Sequence, residues 1–387
     1  MNEIHIILVV SLIIFTSPFI SKITRLPTSV VEIALGTIFG ALGLLSHVAL
    51  FELVAEFGFL YLMFLAGLEV DLKELFSLEK SIIKRGIVYI ALLYLFSFLL
   101  VRYSGLADIY IAIFPLISVG LIAALKKEYG KGVSWLNLSM AIGSLGEVVS
   151  ITVLTIMSAV MEFGLGKQFY ESIFILSLFL LLTMLTFKLL QVLFWWYPEL
   201  KTTLMPRIDT EEQDIRLSMA LLFTFIAIMI YLHLEVAFGA FIAGIIIATF
   251  FEHKKTLPHK LSSFGFGFLV PIFFIFTGSS FKIEALFMKG MVVNALFITL
   301  AMIGVRFLGS IAFYRFFSLK EGILYALSHS MPLTLLVAIA TIALHTKVLG
   351  KEAYLTLILA SIIEVLIVMI AIRWIVKFTY KKPDTPH

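Results

Sequence analysis

One carboxylic acid stands in the middle of a long apolar stretch. Trp135 to Ile151 reads WLNLSMAIGSLGEVVSI, with Glu147 inside it. A carboxylate at that depth in a bilayer costs several kcal/mol unless it is protonated, paired or hydrated, so it marks a candidate site. The small residues Gly143, Ser144, Gly146 and Ser150 surround it and leave room for a backbone, a water or an ion. The plainer reading is a protonated acid hydrogen-bonded inside a helix bundle. Three other ionisable residues lie deep in apolar runs: Arg306, His329 and Glu364. A buried guanidinium needs a partner. Glu147 ranks first for that role and Glu364 second, because small residues accompany only Glu147. His329 is expected to hydrogen-bond to backbone.

Two further stretches interrupt their own helices. Phe114-Pro115-Leu116-Ile117-Ser118-Val119-Gly120 and Ser328-His329-Ser330-Met331-Pro332-Leu333-Thr334 carry proline or glycine in otherwise apolar spans. Proline removes a backbone donor and clashes with the preceding turn, and glycine loosens the helix. Breaks near Gly120 and Pro332 would aim half-helix dipoles and free backbone groups at one point. A proline kink with no site attached is the alternative. Ser118, Ser144, Ser330 and Thr334 are the candidate oxygen ligands for an ion or proton held at Glu147.

The elements that position these residues follow from composition. The 387 residues are 61% hydrophobic and 14% charged, with mean hydropathy +1.08, a balance that excludes an ordinary soluble domain. The chain is expected to be all-α and polytopic, with about thirteen transmembrane helices near 4–20, 27–46, 51–68, 85–103, 109–126, 132–161, 169–190, 214–233, 235–252, 261–280, 290–314, 321–345 and 353–376. The first span lacks a basic leader and cleavage site and is expected to remain in the mature protein. With the N-terminus outside and the tail 381–387 cytoplasmic, 21 Lys and Arg fall on the inner side and 6 on the outer, which sets the orientation. The basic residues thus belong to membrane loops, and the net charge of +4 gives no reason to expect nucleic acid. There is no cysteine, and no nucleophile, base and metal constellation suggests an enzyme or a cofactor. Glu32 is expected at the inner interface, and Glu69 and Asp71 at the membrane edge.

The two halves share a pattern. Glycine-spaced runs recur at Gly36 and Gly40 and at Gly239 and Gly244. Aromatic runs ending at Gly67 and Gly278 lie 211 residues apart, and Ser118 and Ser330 lie 212 apart. Six spans, a linking seventh and six more would set the halves in opposite orientations, as inverted repeats, with two crossing broken helices where they meet.

These stretches resemble the bacterial monovalent cation:proton antiporter family, related to sodium/proton exchangers and glutathione-gated potassium efflux antiporters. The likeness is carried by Leu26–Gly40, Phe57–Asp71, Ala237–Gly244, Pro271–Gly278 and Val305–Gly309, most specifically by Phe64-Leu65-Ala66-Gly67-Leu68-Glu69 and Pro271-Ile272-Phe273-Phe274. It implies one antiporter domain over 1–380. In that domain a panel of spans 1–3 and 8–10 (about 4–68 and 214–280) forms a homodimer. A core of spans 4–6 and 11–13 (about 85–161 and 290–376) moves, and 169–190 links the two. It places the family's acid on Glu147 and its basic residue on Arg306. The implied function is exchange of Na+ or K+ for protons by alternating access across a prokaryotic inner (plasma) membrane. Relatives usually have Asp at this point, after Asp, Asn or Gln; here the pair is Gly146-Glu147, and the Thr often found at the first break is absent. Relatives that move net charge carry two adjacent acids, so a single carboxylate implies electroneutral exchange. A transport-inactive or channel-like membrane sensor with the same fold is the alternative.

Overall fold

The computed structural model describes residues 3–46, 48–70, 79–130, 132–164, 166–206, 211–251, 254, 256–281 and 290–379. Asp71 and the tail 381–387 lie outside the described residues. Helices account for the regular structure of the described chain, as they must where no water can satisfy backbone groups. In order these are α1 (Glu3–Thr24), α2 (Thr28–Ala41), α3 (Ala49–Leu68), α4 (Lys80–Ser104), α5 (Tyr110–Ile113), α6 (Gly120–Tyr129) and α7 (Ser134–Phe163). Next come α8 (Lys167–Trp196), α9 (Pro198–Leu204), α10 (Gln213–Tyr231), α11 (Val236–Phe250), α12 (Leu257–Phe264) and α13 (Val270–Ser279). The last four are α14 (Met291–Gly309), α15 (Leu319–His329), α16 (Leu333–His345) and α17 (Lys351–Thr379). A π-helical segment, Gly265–Leu269, joins α12 to α13.

Ten spans among the described residues are long and apolar enough to cross a membrane. The expected thirteen are reached only by adding the shorter helices α2 and α11 and the broken pair α5–α6. Both interruptions fall in the stretches that carry the prolines. Helix α5 stops before Phe114 and α6 begins at Gly120, while α15 ends at His329 and α16 begins after Pro332.

The chain divides into two compact units: Met1–Leu72 with Ser158–Phe287, and Lys73–Met157 with Met288–His387. The first is held by glycine crossings. A Cβ on Gly36 would collide with the Ile275 carbonyl, and one on Gly278 with the Ile33 carbonyl, so α2 and α13 meet backbone to backbone. The same contacts recur with partners exchanged between α3 and α11, where Gly67 meets the Phe241 carbonyl and Gly244 meets the Phe64 carbonyl. Helix 2 of the first half thus pairs with helix 3 of the second, and helix 3 of the first with helix 2 of the second, as inverted halves require. Gly67→Val is expected to lower the melting temperature in detergent sharply, because overpacking against rigid backbone costs about 1–3 kcal/mol or more. Gly304→Ala, where no atom of the described residues outside its own turn lies within 4 Å of an added Cβ, should match or exceed wild type, since Ala favours a helix over Gly by roughly 0.5–1 kcal/mol.

Glu32 lies one turn into α2 and is covered by protein. It is 4% exposed, and Ser17 of α1 donates to its Oε1 at 3.3 Å. Nearness to the end of a span does not reveal that a neighbouring helix covers that turn. Glu69 is half-buried, just past the last turn of α3.

The second unit is built around the first break. Tyr89, Leu93, Ile117, Ile142, Val305, Phe313 and Tyr325 form one buried cluster drawn from α4, the break, α7, α14, the turn Ser310–Phe313 after it, and α15. Ser318 and Glu321 cap α15 reciprocally.

Candidate functional site

Glu147, near the middle of α7, is 1% exposed and faces the first break. Ser118 donates to its Oε1 at 3.1 Å, and the Val119 backbone N–H donates to Oε2 at 3.4 Å. Val119 is the N-cap of α6, so the carboxylate lies at the positive end of a half-helix dipole, the end that favours anions. The two breaks meet at this acid. The hydroxyls of Ser118 and Thr334, the latter in the first turn of α16, are 3.0 Å apart. One carboxylate, two hydroxyl oxygens and nearby uncoiled backbone make an oxygen-rich environment, suited to a hard monovalent ion or a proton.

Arg306 lies against the other side of the two breaks, where α5 and α15 run out. It is fully buried. Its guanidinium donates to the Leu116 carbonyl in the first break, to the His329 carbonyl at the end of α15 at 2.7 Å, and to Met302 of its own helix at 2.6 Å. A cation at the negative end of α15 complements the acid at the positive end of α6. Its ion pair runs to Glu364 of α17, with Nη1 3.8 Å from Oε1. Glu364, ranked second from sequence, is thus a carboxylate set against Arg306. The reason is packing, because α14 and α17 lie side by side, with Thr299 of α14 donating to the Ala360 carbonyl one turn from Glu364.

His329 does hydrogen-bond to backbone, with Nε2 3.0 Å from the Ser139 carbonyl. Its Nδ1 lies 3.0 Å from the Tyr89 hydroxyl, which fixes one tautomer of the neutral ring. Ser328 donates to Ser139 Oγ at 2.8 Å, so the end of α15 is tied to α7.

A family model described as "Sodium/hydrogen exchanger, transmembrane" matches residues 8–378. The chain belongs to the sodium/hydrogen exchanger family. A protein of Methanocaldococcus jannaschii described as "Probable Na(+)/H(+) antiporter 3" is 27% identical over 385 residues, covering 96% of each chain. An "Ammonium/H(+) antiporter subunit AmhT" of Alkalihalophilus pseudofirmus is 24% identical over 281 residues, 70% of this chain and 68% of that one. The solved sodium proton antiporter MjNhaP1 of Methanocaldococcus jannaschii superposes with a TM-score of 0.69 at 15% identity, covering 97% of both chains, and has the same fold. This exchanger is thus a multi-pass integral membrane protein and a transporter by family.

Within that family the Gly146-Glu147 pair has a local cause. A Cβ on Gly146 would press against the end of the Ile117 side chain in the first break, so a larger residue beside Glu147 requires that side chain to shift. Gly143 likewise lies against Val119 and Ile122. Of the residues expected to surround the acid, Ser118 and Thr334 are brought together there. Ser144 and Ser330 are not: their hydroxyls turn back to the Met140 and Ala326 carbonyls of their own helices, at 3.0 and 2.9 Å. Two contributors lie outside the set of expected ligands. They are the Val119 N–H and Ser150, whose hydroxyl accepts from the Ile117 N–H at 3.3 Å and satisfies a donor that the break exposes. Removing a hydrogen bond to a charged group costs about 1.5–3 kcal/mol. Ser118→Ala is therefore expected to raise the apparent KM for the cation by tenfold or more in liposome assays, with Ser144→Ala and Ser330→Ala close to wild type.

Proposed function

We propose that this chain exchanges a monovalent cation, Na+ or K+, for one proton by alternating access, without net charge movement. The observation that carries the reading is the buried Glu147 carboxylate, held by Ser118 and the Val119 N–H where two broken helices meet. Proton and cation compete for that carboxylate. Either one neutralises it, and only the neutralised forms cross at low cost. The unit of 73–157 and 288–387 carries the acid and presents it to one side of the membrane and then the other. The remaining unit is the panel through which two copies pair. The N-terminus lies outside and the C-terminus in the cytoplasm of a prokaryotic plasma membrane.

Support comes from the family and from relatives described as Na+/H+ antiporters. The single acid, with Ile117 filling the space beside it, supports one proton per cation. The test is a pH-gradient dequenching assay in proteoliposomes with sodium, potassium, lithium and ammonium in turn. Saturable proton release on adding one of these cations supports exchange. No response to any of them would favour the sensor reading, and flux far above carrier rates a channel.

A further inference from the structure

We propose that Glu364 is the fixed counter-charge of Arg306, a positioning residue that cancels the charge of the travelling site and leaves Glu147 alone to trade proton for cation. The proposal rests on the antiporter reading above and goes beyond it, because it assigns the neutrality of the moving unit to an acid that need not touch the transported ion.

Arg306 is buried completely and its guanidinium stays protonated. Its hydrogen bonds go to the carbonyls of Leu116, His329 and Met302, which are dipoles and cannot cancel a full charge. The carboxylate set against it is Glu364, also 0% exposed, at 3.8 Å. Among the described residues neither oxygen of Glu364 receives a hydrogen bond. An acid that stabilised the helices through hydrogen bonds would have partners. What this one supplies is charge. The other titratable groups beside Arg306 are His329, whose ring is held between the Ser139 carbonyl and the Tyr89 hydroxyl, and Tyr89 itself.

The charge count then decides the electrical behaviour. With Arg306 and Glu364 cancelling, the site is neutral whether Glu147 holds a proton or a monovalent cation. Both loaded forms therefore cross without work against the membrane potential. Without the Glu364 charge, each loaded form carries one net positive charge across part of the field in both directions. The stoichiometry stays electroneutral, but the rate of each crossing becomes sensitive to voltage. A full charge across 100 mV corresponds to about 2.3 kcal/mol, a ceiling of roughly 50-fold.

The experiment measures sodium/proton exchange in proteoliposomes at zero potential and at potentials of about 100 mV of each sign, for wild type, Glu364→Gln and Glu364→Asp. The expected result is a wild-type rate indifferent to the sign of the potential. Glu364→Gln should give rates that differ several-fold between the two signs, with no potential-driven sodium uptake at equal pH, and Glu364→Asp should restore indifference. Because Glu364 accepts no hydrogen bond among the described residues, Gln removes its charge without breaking one, and a structural defect would slow exchange equally at both signs. A Gln variant that exchanges and is as indifferent as wild type overturns the proposal, since Glu364 then holds a proton and cancels nothing. Wild-type exchange whose rate follows the potential also overturns it, without need of any variant. That outcome leaves the antiporter reading standing, whereas absence of wild-type exchange removes the reading itself.

Discussion

Glu147→Gln is expected to abolish exchange, by a factor of at least about 100, while leaving a folded protein. The amide keeps the shape of the side chain and its contacts with Ser118 and the Val119 N–H, but it neither releases a proton nor balances a cation. Loss of a buried charge at the positive end of α6 is offset by removal of the cost of burying it, so the melting temperature should stay near that of wild type. Dequenching in proteoliposomes and a thermal melt in detergent check the two halves of this result. Exchange at the wild-type rate in the purified Gln variant would place the transported ion elsewhere.

Arg306→Ala is expected to give the largest fall in stability of any site variant. It removes the donor that holds the Leu116 and His329 carbonyls at the two breaks and leaves Glu364 buried without its ion pair. Breaking a buried pair by removing one partner costs about 3–5 kcal/mol. The double variant Arg306→Ala with Glu364→Ala should recover part of the loss, because no unpaired charge then stays inside, and the difference measures the coupling. Equal melting temperatures for wild type and Arg306→Ala would mean that the breaks are held by something else.

Much of the site is legible in the sequence because membranes make polar residues expensive. A glutamate inside an apolar run, an arginine inside another, and prolines and glycines in matched positions of the two halves identify Glu147, Arg306 and both breaks without coordinates. The glycines at the two crossings, Gly36 with Gly278 and Gly67 with Gly244, are equally visible, since only a missing side chain lets two backbones touch.

What stayed hidden depends on packing and rotamers. The partner of Arg306 is decided by the face that α17 turns to α14, and apolar periodicity does not reveal this where a helix is apolar all round. Ser144 and Ser330 have the composition of ligands, yet each satisfies a carbonyl one turn back in its own helix, as serine in an apolar helix readily does. The Val119 N–H is a backbone donor and any residue could supply it. Glu32 lies near the end of a span, and only the presence of α1 beside it makes it buried.

The central claim is that proton and cation compete for one carboxylate. Titration calorimetry of the purified protein with sodium chloride, or with potassium chloride if potassium is the cation exchanged, tests it most directly. Repeating the titration in buffers of different ionisation enthalpy counts the protons released on binding. Below the pH at which Glu147 loses its proton, the account predicts one proton released per cation bound in wild type, and no cation binding with Glu147→Gln. Cation binding without proton release, or undiminished binding by the Gln variant, would contradict it.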